Sequence, residues 1–177
     1  MSGKIAIMSI LITSLVAAFG LYYLQVHHFY EELDPDSQTI ELVSVSSGEL
    51  EEIIADDIQA IDATSSPIRY RACFTTPMSH GLLSEAYVLD DRAEPLTAPD
   101  WFDCFDAVEI GAALEEGTAL AFASTENIGY GVDRMVAILD DGRGFAWHQL
   151  NNCGQRAYDG SPVGDECPSR EEFEESN

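Results

Sequence analysis

An uncharged apolar run near the amino terminus constrains this chain more than any other feature. Residues 5–26 read IAIMSILITSLVAAFGLYYLQV and contain no charged side chain. As an α-helix they would extend about 33 Å, at about 1.5 Å per residue. That length is enough to cross a hydrocarbon layer of about 30 Å. The run therefore predicts a transmembrane helix. A cleaved signal peptide, with AFG at 18–20 as the cleavage site, is the alternative.

The charges on either side of this run predict its orientation. Lys4, the single lysine of the sequence, precedes the run, whereas four acidic residues follow it between positions 31 and 36. Basic residues tend to remain on the cytoplasmic side of a membrane. We therefore expect a single-pass protein of the inner membrane, with a cytoplasmic amino terminus and the bulk of the chain in the periplasm.

The sequence divides into five predicted segments. They are a cytoplasmic stub (1–4), the transmembrane helix (5–26), a juxtamembrane linker (27–38), a periplasmic α+β domain (39–167) and an acidic, mobile tail (168–177). Within the domain, several β-rich stretches surround one clear helix signal. The predicted fold is a small antiparallel sheet with one or two packed helices and disulfide cross-links.

Two stretches of the domain have well-defined local signals. Asp106 is a good N-cap with Glu109 three residues later, and Gly117 supplies a stop, so a helix is predicted between them. Further on, the stretch VDRMVAILDDGRGFAWHQL predicts a hairpin. A two-residue turn at Asp141-Gly142 would place Met135 opposite His148.

The four cysteines agree with an exported domain. Exported compartments are oxidising, so an even number of cysteines predicts two disulfides. Four cysteines allow three pairings, of which we favour Cys73–Cys104 and Cys153–Cys167. The second pair would close a glycine-rich loop of about 15 residues. A structural metal site is not predicted, because the sequence has no close CxxC or HxxxH pair.

The stretch SSPIRYRACF, residues 65–74, contains two of the eight basic residues in the chain. Alternation predicts a half-buried strand in which Arg69 and Arg71 share a face about 7 Å apart. One interpretation is a ladder of ion pairs with carboxylates on neighbouring strands. The other is a pocket for a small anion, completed by Ser65 and Ser66.

Catalytic signatures are few. The sequence has no GxSxG, P-loop, GxGxxG or CxxCH motif, and no cofactor is predicted. His148 is a candidate ligand-binding residue and, in a less favoured hypothesis, the catalytic residue of an envelope hydrolase. A structural role for a half-buried histidine on this face is the more ordinary interpretation.

The net charge of −24 limits the partners. It disfavours nucleic acids and anionic lipid headgroups, both of which need a basic face. The acidity suits solubility in a saline medium. It also suits electrostatic docking of a basic periplasmic protein, such as a c-type cytochrome with a lysine-rich face.

Several segments together resemble a known family. They are LYYLQV and FYEEL, then IDATSSPIRYRACFTTPMS, WFDCFDAVEIGAALEEG and the strands GVDRMVAI and GRGFAWHQL. The chain is similar over about 30–152, and in the design of its anchor, to uncharacterised single-span proteins of alphaproteobacteria. The resemblance implies location and architecture and transfers no catalytic residue. The expected function is that of a non-catalytic accessory or scaffolding subunit of an integral membrane complex.

Overall fold

The computed structural model describes residues 2–164 and 167–176. It has an apolar amino-terminal helix followed by a mixed α and antiparallel β domain, which confirms the α+β prediction. The elements are α1 (Ser2–Tyr23), a π-helical turn (Leu24–His28), β1 (Glu31–Leu33), a 3-10 turn (Pro35–Ser37), β2 (Glu41–Val43), β3 (Leu50–Glu52), β4 (Asp56–Asp62), β5 (Arg71–Thr75), α2 (His80–Ala86), α3 (Ala107–Glu116), β6 (Ala119–Ala123), β7 (Val132–Leu139), β8 (Arg143–Leu150) and α4 (Arg170–Ser176).

The amino-terminal helix is long and apolar enough to cross a membrane. The segment with this length and apolar character is Gly3–His28, and the domain buries none of the most apolar part of the segment. A helix that is apolar on all sides and unburied is unsuited to water. The segment therefore indicates a membrane anchor.

Six antiparallel strands form the main sheet in the order β1-β4-β5-β8-β7-β6, and β2 and β3 form a separate ribbon. Because strands alternate their side chains, the sheet has two apolar faces. The ribbon and α2 cover one face, which we call the ribbon face. Its buried residues include Ile40, Leu42, Leu83, Phe122, Val136 and Ile138. The other, the helix face, lies under α3 and the preceding loop. Its buried residues include Phe102, Phe105, Ile110, Met135, Phe145 and Trp147.

Both predicted disulfides are present. Cys73 on β5 is bonded to Cys104 in the loop before α3, and Cys153 is bonded to Cys167. The first disulfide ties the cover of the helix face to the sheet. Disulfides persist in oxidising compartments, so the pair indicates an oxidising environment.

The predicted helix is confirmed as α3. The Asp106 side chain accepts hydrogen bonds from the backbone N–H groups of Val108 and Glu109, which caps the first turn. At the other end Gly117 has a φ of 75°, the left-handed conformation that ends a helix most readily in glycine. The buried residues of α3 are Ile110 and Ala113.

The hairpin is present, but the predicted register is wrong by one residue. Its loop has three residues, Asp140 to Gly142, because Gly142 adopts a φ of 88° and adds a position after the turn. Three-residue hairpin loops of this kind need glycine at the left-handed position. In consequence Arg134, and not Met135, lies opposite His148.

Two boundaries also differ from the predictions. The range predicted as a linker, 27–38, contains β1, which pairs with β4 as an edge strand of the main sheet. The strand predicted around the two arginines begins only at Arg71. The acidic tail contains a further helix, α4, and the Tyr130 hydroxyl donates a hydrogen bond to the Pro168 carbonyl before it.

Candidate functional site

A row of four polar side chains crosses one end of the ribbon face. The strand order β4-β5-β8-β7 brings Asp62, Tyr70, His148 and Arg134 side by side. Arg134 is registered with His148, and Asp62 and Tyr70 each lie one residue beyond a registered pair. The row therefore crosses four neighbouring strands at one end of the apolar core.

His148 lies in the middle of this row and is almost fully buried, at 5% exposure. Its Nδ1 is 2.8 Å from the Pro67 carbonyl, which can only accept a hydrogen bond, so Nδ1 carries the proton. Its Nε2 accepts a hydrogen bond of 3.1 Å from Nε of Arg134. Burial, together with the positive charge of Arg134, lowers the pKa of His148 to about 4. His148 is therefore neutral at pH 7, and both its nitrogens are engaged.

Tyr70 packs between the charged members of the row. Its ring stacks on His148 at 4.7 Å, and the Arg134 guanidinium carbon lies 4.3 Å from the centre of the ring. Burial raises the pKa of the Tyr70 hydroxyl. That hydroxyl is buried and has no hydrogen-bond partner among the described residues.

Arg134 and Asp62 are the two charges of the row. Arg134 is half-buried, and its two terminal nitrogens bond to none of the described residues. Asp62 is also half-buried, and one of its oxygens accepts a hydrogen bond from the Ala63 N–H. Burial raises the pKa of Asp62, against the opposing influence of Arg134. The two side chains are close enough to affect each other but form no direct ion pair.

An open cleft of about 380 Å³ lies over this end of the row. Asp62, Arg134 and His148 line it, together with Thr64 and Ser66 from the turn after β4. Two of the predicted site residues, Ser66 and His148, therefore meet here. Ser65 is exposed and lies outside the cleft lining.

The arginine predicted to lie at an anion site, Arg71, is buried on the helix face instead. Its guanidinium donates four hydrogen bonds to backbone carbonyls. Two of these carbonyls, of Ile68 and Tyr70, lie just before β5, and the other two, of Leu96 and Thr97, lie in the loop between α2 and α3. Burial lowers the pKa of Arg71 to about 10, so the group stays charged at pH 7. The described residues supply carbonyls, and not the expected ladder of carboxylates, as its partners.

Arg69 lies elsewhere, against the end of the membrane helix. Its Nη1 donates a hydrogen bond of 3.3 Å to the Gln25 carbonyl, and its guanidinium lies 5.3 Å from the ring centre of Tyr30. Nearby, Nε1 of Trp101 donates to the Val26 carbonyl at 2.6 Å. Arg69 and Arg71 therefore have no hydrogen-bond partner in common, and Arg69 helps to fasten the domain to the helix.

The described residues contain no group of three or more His, Cys, Asp or Glu side chains arranged to hold a metal ion. Some adjacent carboxylates of the sequence are exposed, at the end of α3 (Glu115 and Glu116) and in the hairpin loop (Asp140 and Asp141), and these contribute solvated charge.

The fold and the site define a class of protein: a disulfide-linked α+β domain carried on an apolar amino-terminal helix, with a polar row across one end of the ribbon face. The chain belongs to the family of unknown function DUF6446, whose model matches residues 40–168. This confirms the resemblance to an uncharacterised family, and the match includes Cys153 and Cys167, beyond the predicted range of similarity. Comparisons with curated proteins and with solved structures give no match.

Proposed function

We propose that this protein is a membrane-anchored accessory or scaffolding subunit of an inner-membrane complex, with its domain in the periplasm. Residues 5–26 would cross the membrane with Lys4 on the cytoplasmic side. The charge distribution around the helix and the two disulfides support this orientation.

The observation that carries the proposal is the way the domain is fastened to the end of the helix. Two carbonyls of the π-helical turn that ends the segment, at Gln25 and Val26, accept hydrogen bonds from Arg69 and Trp101. Only a few residues later the chain enters β1 and pairs with the main sheet. A domain held this way has a fixed height and orientation above the membrane, which a scaffold needs and a flexible tether would not give.

The surface presented in this way is strongly acidic. The net charge is −24, and two arginines are paired with carboxylates of the domain itself. Arg92 pairs with Asp90, and Arg143 pairs with both Glu109 and Asp141. The remaining negative field would attract a basic periplasmic protein, for example a c-type cytochrome, to the membrane surface.

The proposal is tested by isolating the full-length protein from its native membrane in mild detergent and identifying its partners by mass spectrometry. We expect a stoichiometric membrane complex. Basic soluble partners should be lost when the wash is raised to high salt, because exposed ionic contacts are screened. Recovery of the protein alone under gentle conditions would overturn the proposal.

A matched pair of variants tests the role of the fastening. Trp101→Phe removes the N–H donor to Val26 while keeping an aromatic ring, and Arg69→Gln removes the cation near Gln25. We expect the double variant to remain folded and membrane-bound but to recover less of the complex. Arg156→Gln, a change at an exposed position in the loop closed by the Cys153–Cys167 disulfide, is the control. Equal recovery from the double variant and the control would show that a fixed orientation is unnecessary.

A further inference from the structure

The cleft at the end of the polar row contains opposite charges that are not joined in an ion pair. Asp62 and Arg134 both line it, yet no direct ion pair joins them. Both are half-buried, so each has lost part of its water. Partly desolvated charges are normally paired or bound to something else. The cleft is therefore complementary to a ligand that bears both charges.

The positive side of the cleft presents the end of a guanidinium. Arg134 uses Nε for its bond to His148, and the bond and the stack on Tyr70 fix the plane of the group. Its two terminal nitrogens remain without partners among the described residues. Two parallel N–H donors on one guanidinium match the two oxygens of a carboxylate.

His148 contributes position and not charge. Its protonated Nδ1 is held by the Pro67 carbonyl, so Nε2 is left as an acceptor that fixes Arg134. A protonated ring could not accept that bond and would repel the guanidinium. The arrangement therefore keeps a single, oriented cation in the cleft.

The negative side presents a carboxylate and hydroxyl groups. One oxygen of Asp62 accepts the Ala63 N–H, and the other is not bonded to the described residues. Thr64 and Ser66, which both carry hydroxyl groups, belong to the same lining, on the turn that follows Asp62. A carboxylate flanked by hydroxyls provides acceptors for an ammonium group.

From these features we infer that the cleft binds a small zwitterion of the α-amino-acid type, its carboxylate on Arg134 and its ammonium on Asp62. A cleft of about 380 Å³ is large enough for such a molecule. Pro67 and Ile128 complete the lining with apolar surface, which favours a small apolar side chain on the ligand. This inference does not depend on the proposed scaffolding function, and its test is separate.

Three matched probes test the charge requirement on the full-length protein in detergent micelles. They are L-alanine, propionate, which lacks the ammonium group, and ethylamine, which lacks the carboxylate. Binding is followed by titration calorimetry and by backbone amide shifts in the NMR spectrum. We expect L-alanine to bind roughly tenfold or more tightly than either probe, since each removes one charged hydrogen-bonding partner. The shifts should centre on Ala63, Ser66 and Arg134.

Variants at the two ends of β4 give the matched control. Asp62→Asn keeps the shape and the acceptor for the Ala63 N–H but removes the charge, whereas Asp56→Asn makes the same change at the exposed far end of the strand. We expect Asp62→Asn to weaken L-alanine roughly tenfold or more while propionate binding is kept, and Asp56→Asn to change neither.

Several results would overturn the inference. One is propionate binding as tightly as L-alanine, which would make the cleft a simple anion site. Another is L-alanine binding that Asp62→Asn leaves unchanged, and a third is the absence of any shift in the cleft with all three probes. Because the comparison of probes on the unmodified protein needs no variant, a folding defect in Asp62→Asn leaves the test intact.

Discussion

Two arginines on opposite faces of one sheet have opposite surroundings. On the helix face, Arg71 is 3% exposed and its guanidinium is bonded to four backbone carbonyls. On the ribbon face, Arg134 is half-buried, donates one hydrogen bond to His148 and lines an open cleft. The difference lies in the guanidinium donors. All the nitrogens of Arg71 are hydrogen-bonded, so it holds two chain segments together, whereas Arg134 has nitrogens available to a ligand.

The largest effect should come from deleting the saturated arginine. Arg71→Ala leaves carbonyls from two segments without donors, and we expect it to lower the free energy of unfolding by at least about 4 kcal/mol. Arg134→Ala removes one hydrogen bond and a contact with Tyr70, and should cost about 1–2 kcal/mol. Denaturant titration of the full chain in detergent, followed by tryptophan fluorescence, measures both. Equal losses would contradict the contrast between the two residues.

The helix face has a second fastening close to Arg71, the Cys73–Cys104 disulfide. It closes a separation of 31 residues, against 14 for Cys153–Cys167. Replacing both cysteines of the longer loop with alanine should cost about 3.7 kcal/mol, and those of the shorter loop about 3.0 kcal/mol, on the loop-entropy model.

Double-mutant cycles that combine the Cys73–Cys104 variant with each arginine variant sharpen the comparison of the two arginines. Arg71 and the disulfide both hold the chain between Leu96 and Cys104 against β5, so their losses should not add. Arg134 has no part in that fastening, and its loss should add to that of the disulfide. Additivity in both cycles would show that Arg71 does not act on that loop.

His148 predicts a pH dependence on the ribbon face. Its pKa falls from the ordinary value of 6.5 to about 4 in the fold, so the unfolded chain takes up a proton first as the pH falls. The stability contributed by the neutral ring is complete above about pH 6.5 and is lost towards pH 4, by about 3 kcal/mol. Asp62, with its pKa raised by burial, contributes in the opposite direction at the acid end.

Denaturant titrations across this pH range check the prediction. His148→Gln is the control, since it removes the titration and should flatten the dependence between pH 6.5 and pH 4. If the unmodified protein and the variant lose stability in parallel, His148 is not the group responsible.

Local signals made much of the fold predictable, and tertiary pairing explains the rest. The cap at Asp106 and the stop at Gly117 act within one turn of helix, so sequence alone located α3. The alternation around Arg69 and Arg71 has the same short range, yet the strand that it predicted includes Arg69, whereas the observed strand begins at Arg71. Where a strand begins depends on its neighbours, and β5 pairs with β4 and β8 only from Arg71 onwards.

The charged residues of the candidate site were missed for a related reason. Its charges, Asp62 and Arg134, lie far apart in the chain and meet only through the strand order. The signal that could have located Arg134 was Gly142: a three-residue loop ending in glycine shifts the hairpin by one position and puts Arg134 opposite His148. A shift of one residue in the register changes every cross-strand partner in a hairpin. The predicted two-residue turn therefore did not place Arg134 opposite His148.

The smallest expected effect concerns Tyr70, which lies between the two members of the row that carry charge. Its ring stacks on His148 and contacts the Arg134 guanidinium. Its hydroxyl, in contrast, is buried without a partner among the described residues. An unpartnered buried hydroxyl opposes folding, so Tyr70→Phe should raise the free energy of unfolding by up to about 1 kcal/mol and leave the His148 pH dependence in place. Tyr70→Leu, which also removes the aromatic face, should instead destabilise the protein. A loss of stability in Tyr70→Phe would mean that the hydroxyl is bonded, and the polar row would then extend further into the core than its four side chains indicate.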